Sequence, residues 1–185
     1  ASMGHAGGME ATALSAGFMF EDGSYGSVSV QSQSPSVKAK TAAGVSVTSG
    51  SLIGSVSSTN LKAKMDVLDN MSVGITYYRQ AGIKLDYQTN WSAPLPLPPK
   101  TVMPKVDLDV SALAVLVKYD FNENFSALAG IKNGTASDAT VLIPIVVAVN
   151  ATATGKSALS YIAGAAYEIP ELALRAELMY ETKAS

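Results

Sequence analysis

From residue 25 onward, apolar and polar residues take turns along the chain. The alternation is sharpest in residues 71–78, where Met71, Val73, Ile75 and Tyr77 fall on one side and Ser72, Gly74, Thr76 and Tyr78 on the other. A two-residue period is that of a β-strand, whose successive side chains point to opposite faces. The rhythm breaks at Arg79, Gln80, Ala81 and Gly82, and a glycine inside a strand pattern points to a bulge, a kink or a close backbone approach. Strand-like segments cover residues 25–40, 51–65, 71–87, 105–121, 125–133, 157–167 and 172–181. They predict an all-β chain.

The connections between these segments differ in length. Residues 67–70, 122–124 and 168–171 are tight turns, whereas 41–50, 88–104 and 134–156 are longer, and the prolines of 88–104 exclude a central strand. A transmembrane antiparallel β-barrel sorts its connections in this way, with short periplasmic turns, long extracellular loops and strands of ~10 residues. A soluble sandwich has no reason to do so. The expected organisation is therefore an N-terminal segment over residues 1–24 without a clear period of its own, then barrel strands one to seven over 25–185, with extracellular loops at 88–104 and 134–156.

The faces add detail. In the last strand Leu172, Leu174, Ala176, Leu178 and Tyr180 form an apolar side, while Arg175 and Glu177 lie on the other, placed to pair inside a lumen. Leu159, Tyr161, Ala163, Ala165 and Tyr167 oppose Ser160 and Gly164 in the sixth. Tyr119, Phe121, Phe125 and Tyr167 gather beside turns, where an interfacial aromatic girdle belongs. In the fourth strand, Leu113, Val115, Val117, Tyr119 and Phe121 facing lipid leaves Val106, Leu108, Val110, Ala112, Ala114 and Leu116 facing inward. An apolar inner wall suits hydrophobic cargo or an apolar plug, and Leu14, Phe18, Met19 and Phe20 supply such a plug. The alternative is a strand buried on both faces of a soluble core.

Composition narrows the chemistry. The chain is 48% hydrophobic and only 15% charged, against ~25% in soluble globular domains. Its net charge of −2 argues against a nucleic-acid partner. No cysteine is present, which removes disulfides, thiolate catalysis and most structural zinc sites. His5 is the sole histidine and makes neither a zinc site nor a triad. Asp107 and Asp109 share a strand face at the outer rim, where a solvated pair is a simpler expectation than a cation site. No apolar run approaches the ~20 residues of a membrane-spanning helix; the longest, residues 141–149, carries Pro144. No polar catalytic cluster appears, so neither an enzyme nor a cofactor is expected.

The segments GGMEATALSAGFMFEDGSYGSVSVQSQSPSV, LDNMSVGITYYRQAGIKLDY, VKYDFNENFSALAGI and YIAGAAYEIPELALRAELMYETK, in this order and spacing, resemble the N-terminal half of the FadL/TodX family of bacterial outer-membrane transporters for long-chain fatty acids and other hydrophobic compounds. The resemblance implies a fourteen-stranded barrel closed by an N-terminal hatch and opened sideways into the membrane by a kink in the third strand. Arg79, Gln80, Ala81 and Gly82 fall on that kink. The hatch corresponds to residues 1–24 and includes Leu14, Phe18, Met19 and Phe20, and Trp91, Leu95 and Leu97, with Val141, Leu142, Ile143 and Ile145, fall in the outer capture loops. The implied partners are a hydrophobic small molecule or fatty acid and outer-membrane lipid.

Seven strands are half of that barrel, so the remaining half or a second copy is expected to close the sheet; open edges in lipid are prohibitive. The Asn-Pro-Ala sequence of many relatives' hatches has no match here. The basic residue that would hold a carboxylate headgroup past the middle of the fifth strand also has none, Lys132 being only nearby. Two other classes stay open: a structural or adhesive surface barrel without transport, and a soluble secreted β-sandwich binding module.

Overall fold

The computed structural model describes residues 9–38, 50–86, 105–144 and 148–184. It is all-β with almost no helix, and its main path is seven antiparallel strands in a curled half-barrel sheet. Each strand pairs with its neighbour along the path β2 (Tyr25–Gln33), β3 (Val56–Leu68), β4 (Met71–Asp86), β5 (Lys105–Asp120), β6 (Phe125–Ala136), β9 (Ser157–Ile169) and β10 (Leu174–Glu181). Three short strands lie off that path: β1 (Met9–Ala11) on β4, and the hairpin β7 (Ala139–Pro144) and β8 (Ala148–Ala153), of which β7 also pairs with β5. Among the described residues no helix is long and apolar enough to cross a membrane.

The tight turns form where turn chemistry requires them. At residues 122–124 the Asn122 side chain accepts from the amides of Asn124 and Phe125, both at 2.9 Å, closing the β5–β6 turn without a glycine. The last turn departs from expectation. Pro170–Leu172 forms a single 3-10 turn that ends at Ala173 in the left-handed region (φ 48°), so the final strand starts at Leu174 and Leu172 is not part of its face. The connection 134–156 is also less loop-like than its length suggests. β6 runs on to Ala136, and the hairpin β7–β8 occupies most of the remainder, taking over the edge of β5 at Lys105↔Leu142, Val106↔Val141 and Asp107↔Thr140 after β6 has left it.

Alternation sets the two faces of the sheet. Val28, Leu61, Met65, Ile75, Leu113 and Leu178 are exposed on one of them, together with Tyr119, Phe121, Phe125 and Tyr167 near the tight turns. There the Tyr119 and Phe121 rings meet edge-on at 5.2 Å, and Phe125 and Tyr167 lie 4.8 Å apart. The other face carries the core. Ala114 and Leu116 of β5, Leu128 of β6, and Ile162 and Ala166 of β9 pack against Ala16, Phe18 and Met19 of the N-terminal segment, whose residues Gly17–Phe20 make one 3-10 turn. Leu14 and Phe20 pack partly buried at its margin. Gly74 makes this close approach possible: a Cβ there would meet Met19 Sδ and stand 2.7 Å from Phe18 Cε2.

Candidate functional site

The feature that separates this sheet from a plain meander lies along β4. Its ladder with β3 runs from Leu68↔Met71 only as far as Leu61↔Tyr77. Residues 56–60 of β3 remain paired with β2 alone, from Asn60↔Ser29 to Val56↔Gln33, so the two neighbouring strands part. The space they leave is filled by β1, which aligns Ala11, Glu10 and Met9 with Ala81, Gly82 and Ile83. Thr12 extends this ladder by donating its amide to the Gln80 carbonyl at 2.7 Å. Further out the wall closes again: Ile53 bridges Leu85, Gly54 donates to Lys84 at 3.2 Å, and Asp86 donates to Leu52 at 3.0 Å. One side of β4 thus has three successive partners.

The other side of β4 bears a bulge at the same height. Pairing with β5 passes from Arg79↔Ser111 to Ala81↔Val110, leaving Gln80 as the extra residue. The interruption expected at Arg79, Gln80, Ala81 and Gly82 is therefore a bulge at Gln80, and the glycine has a different task. A Cβ on Gly82 would collide with the Arg79 guanidinium, which lies across that position and bonds Asp109 on β5, Nη2 to Oδ2, at 2.7 Å. Arg79 is almost wholly buried and Asp109 about half exposed. At the rim Lys84 stands 4.0 Å from Asp107, and Lys105 stands 3.5 Å from Asp86. Asp107 and Asp109 each have a basic neighbour, and no cluster able to hold a metal ion occurs among the described residues.

Below the N-terminal 3-10 turn, toward the tight turns, the inner face changes from apolar to charged. Two hairpins carry the same arrangement, Lys-x-Asp followed six residues later by Ser. Lys64 bonds Asp66 at 2.6 Å while Ser72 donates to Asp66 at 2.7 Å; Lys118 bonds Asp120 at 3.0 Å while Ser126 donates to Asp120 at 2.6 Å. Arg175 and Glu168, facing each other across β9 and β10, extend the series with Nη1 to Oε1 at 3.6 Å. These groups line a cavity of about 1010 Å³ that is open to solvent. They also hold the N-terminal segment. Lys64 donates to the carbonyls of Glu21 and Gly23 at 2.7 and 3.0 Å, and the Phe20 ring has Lys118 at 4.9 Å and Arg175 at 4.3 Å.

Toward the other end of the concave face a second polar group stands among apolar neighbours. Lys132 of β6 forms a close ion pair with Oε1 of Glu181 on β10, and Ser160 of β9 donates to the same oxygen at 2.9 Å. Lys132 and Ser160 are buried, as is Tyr78 of β4, whose hydroxyl finds no hydrogen-bond partner among the described residues.

No family model, curated protein or solved structure matches the chain. What it can do is therefore read from its own geometry.

Of the residues singled out in the sequence, Ala112, Ala114 and Leu116 are buried on the concave face, and Val106, Leu108 and Val110 are half-buried nearer the rim. Phe18 and Met19 are buried against the same face. Arg175 and Glu177 do not form the expected pair. Arg175 turns to Glu168 because residues opposite each other on antiparallel strands have Cβ atoms ~5 Å apart, closer than i and i+2 along one strand. Val141, Leu142 and Ile143 lie in β7, while Trp91, Leu95, Leu97 and Ile145 lie outside the described residues. Sequence reasoning missed β1, the Lys-x-Asp…Ser collar and the Lys132–Glu181 pair. The collar alone had a signal in the sequence, the near-repetition of KMDVLDNMS at 64–72 in KYDFNENFS at 118–126.

Proposed function

We propose that the chain forms part of the wall of an outer-membrane β-barrel that passes hydrophobic compounds through its interior and releases them sideways between β3 and β4. The observation that carries this is the slot in the wall, occupied by β1 at the height where β4 pairs on its other side with the half-buried Val110 and Leu108, the buried apolar residues Ala112, Ala114 and Leu116 following further along β5. A sheet that serves only to display loops gains nothing from a parted ladder in its middle. The convex face supports a lipid setting, because an exposed surface bearing Val28, Val30, Met65, Leu174, Leu178 and Tyr180 is far more apolar than soluble monomers tolerate. In this proposal the N-terminal segment is the hatch. It lies on the inner wall by its 3-10 turn and fills the side opening with β1.

In lipid the outer edges of β2 and β10 both need partners. In an alternating series of seven strands the first and last run in the same direction. A second copy in the same orientation would meet β10 with a parallel β2, whereas strands of a remaining barrel half that begin in the opposite direction extend the antiparallel ladder. The latter closure is the one proposed.

The test locks the slot. The chain has no native cysteine, so Ala11→Cys with Ala81→Cys, a facing pair, gives a single disulfide between β1 and β4. Uptake of a fluorescent hydrophobic probe by cells or proteoliposomes is expected to stop on oxidation and return on reduction. Undiminished uptake with the disulfide fully formed would sink the lateral route.

A further inference from the structure

Within a hydrophobic wall the group Lys132, Glu181, Ser160 and Tyr78 is out of character. Removing a lysine–carboxylate pair from water carries a large desolvation cost, and ionisable residues at membrane depth characteristically mark a path for substrate or ions. Here the pair is already satisfied internally. Lys132 and Ser160 both converge on Oε1 of Glu181, so the lysine charge is neutralised by the chain itself. Of this group the Tyr78 hydroxyl is left without a partner among the described residues, though it is shut off from solvent, and buried hydroxyls are seldom left so.

Register brings these residues to one region of the concave face. Thr76 faces Ala114, Ala114 faces Lys132 and Lys132 faces Ser160, while Tyr78 lies one inward position further along β4, opposite Ala112. Two strand spacings, about 10 Å, separate the β4 and β6 backbones. Tyrosine and lysine side chains reaching inward from a curled sheet narrow that gap. Around them lie Ala112, Ala114 and Ile162, all buried.

We propose that this group is a recognition point for the polar end of a hydrophobic ligand, and that the end it accepts is neutral: a ketone, ester or ether oxygen taking the hydrogen bond of the Tyr78 hydroxyl. A carboxylate is disfavoured, because Lys132 is already matched and an incoming anion meets the Glu181 carboxylate. The inference rests on the hydrophobic-passage function and narrows its substrate class to uncharged, acceptor-bearing apolar molecules.

The test uses three probes of nearly equal apolar size, naphthalene, 2-acetylnaphthalene and 2-naphthoate, with the whole chain in detergent or nanodiscs at neutral pH. The wild type is expected to bind the ketone about tenfold more tightly than the hydrocarbon, the increment of one well-placed hydrogen bond, and the carboxylate more weakly than either. In Tyr78→Phe the ketone-to-hydrocarbon ratio falls to near one. Glu181→Gln gives a second, independent reading, with 2-naphthoate gaining about tenfold relative to naphthalene as Lys132 loses its counter-charge. A ketone ratio that survives Tyr78→Phe, or 2-naphthoate binding the wild type as tightly as the ketone, overturns the proposal. Naphthalene binding without any ketone preference overturns it while leaving hydrophobic passage intact; failure of all three probes to bind overturns both.

Discussion

Arg79 reaches from the bulge of β4 across Gly82 to Asp109 on β5, with Nη2 2.7 Å from Oδ2, and the hydrogen atom that glycine carries in place of a side chain is what leaves it room. The pair sits at the height where β1 replaces β3, so it fastens β4 to β5 just where β4 loses its regular neighbour on the other side.

Gly82→Ala is expected to push the guanidinium off Asp109 and lower stability by about 1–3 kcal/mol, the range for a buried polar group deprived of its partner. Urea unfolding, followed by the loss of β-sheet circular dichroism, measures it. Asp109→Asn combined with Gly82→Ala should cost much less than the sum of the single changes, since both break one interaction. Full additivity would mean that Gly82 acts through something other than Arg79.

The N-terminal segment touches the wall through Gly74, where a Cβ would strike Met19 and Phe18. Gly74→Val is expected to lift the 3-10 turn from Leu116 and Leu128, at about 1–3 kcal/mol for overpacking a filled site. Limited proteolysis near residues 17–20 should quicken, and under the proposed passage function probe uptake should rise. Unchanged cleavage would show that the segment tolerates the extra methyl groups in place.

Ser72 and Ser126 occupy equivalent places in two hairpins, each donating to the aspartate six residues before it. Ser72→Ala and Ser126→Ala should therefore cost about the same, roughly 0.5–1.5 kcal/mol each for one hydrogen bond. Lys64→Met should cost more than Lys118→Met, because Lys64 also holds the Glu21 and Gly23 carbonyls. Equal losses for the two lysines would remove the N-terminal anchor from the account.

How much of this was legible in the sequence follows from the range of each interaction. The two faces of β5 were, since alternation is a local property: Leu113, Val117 and Tyr119 are exposed and Ala112, Ala114 and Leu116 buried, as the period requires. That something irregular happens near Arg79 was also visible, but the bulge falls on Gln80, because whether Gly82 serves as bulge residue or as space for a neighbour depends on a guanidinium three residues away. β1 was not legible at all. It has three residues and no period of its own, and it is made a strand by a partner some seventy positions downstream. The same holds for Arg175, whose partner is set by strand register, and for the hairpin β7–β8, whose pairing with β5 begins only where β6 ends.

Lys132 and Glu181 offer the sharpest energetic contrast. Lys132 is 5% exposed in its side chain and Glu181 35%, so removing either partner alone strands a charge that only one of the two positions can return to water. Glu181→Met should be the costlier single change, at or below the low end of the ~3–5 kcal/mol that breaking a fully buried pair costs, since the glutamate keeps some solvent. Lys132→Met should cost less, because the carboxylate left behind can still be hydrated. The double change Lys132→Met with Glu181→Met removes both charges and fills both places with flexible apolar chains, leaving only the Ser160 hydroxyl without its acceptor. It is expected to lie within about 1–2 kcal/mol of the wild type. Urea or thermal unfolding of the four proteins completes the cycle, and a double variant as unstable as Glu181→Met would show that the pair contributes net stability rather than a site.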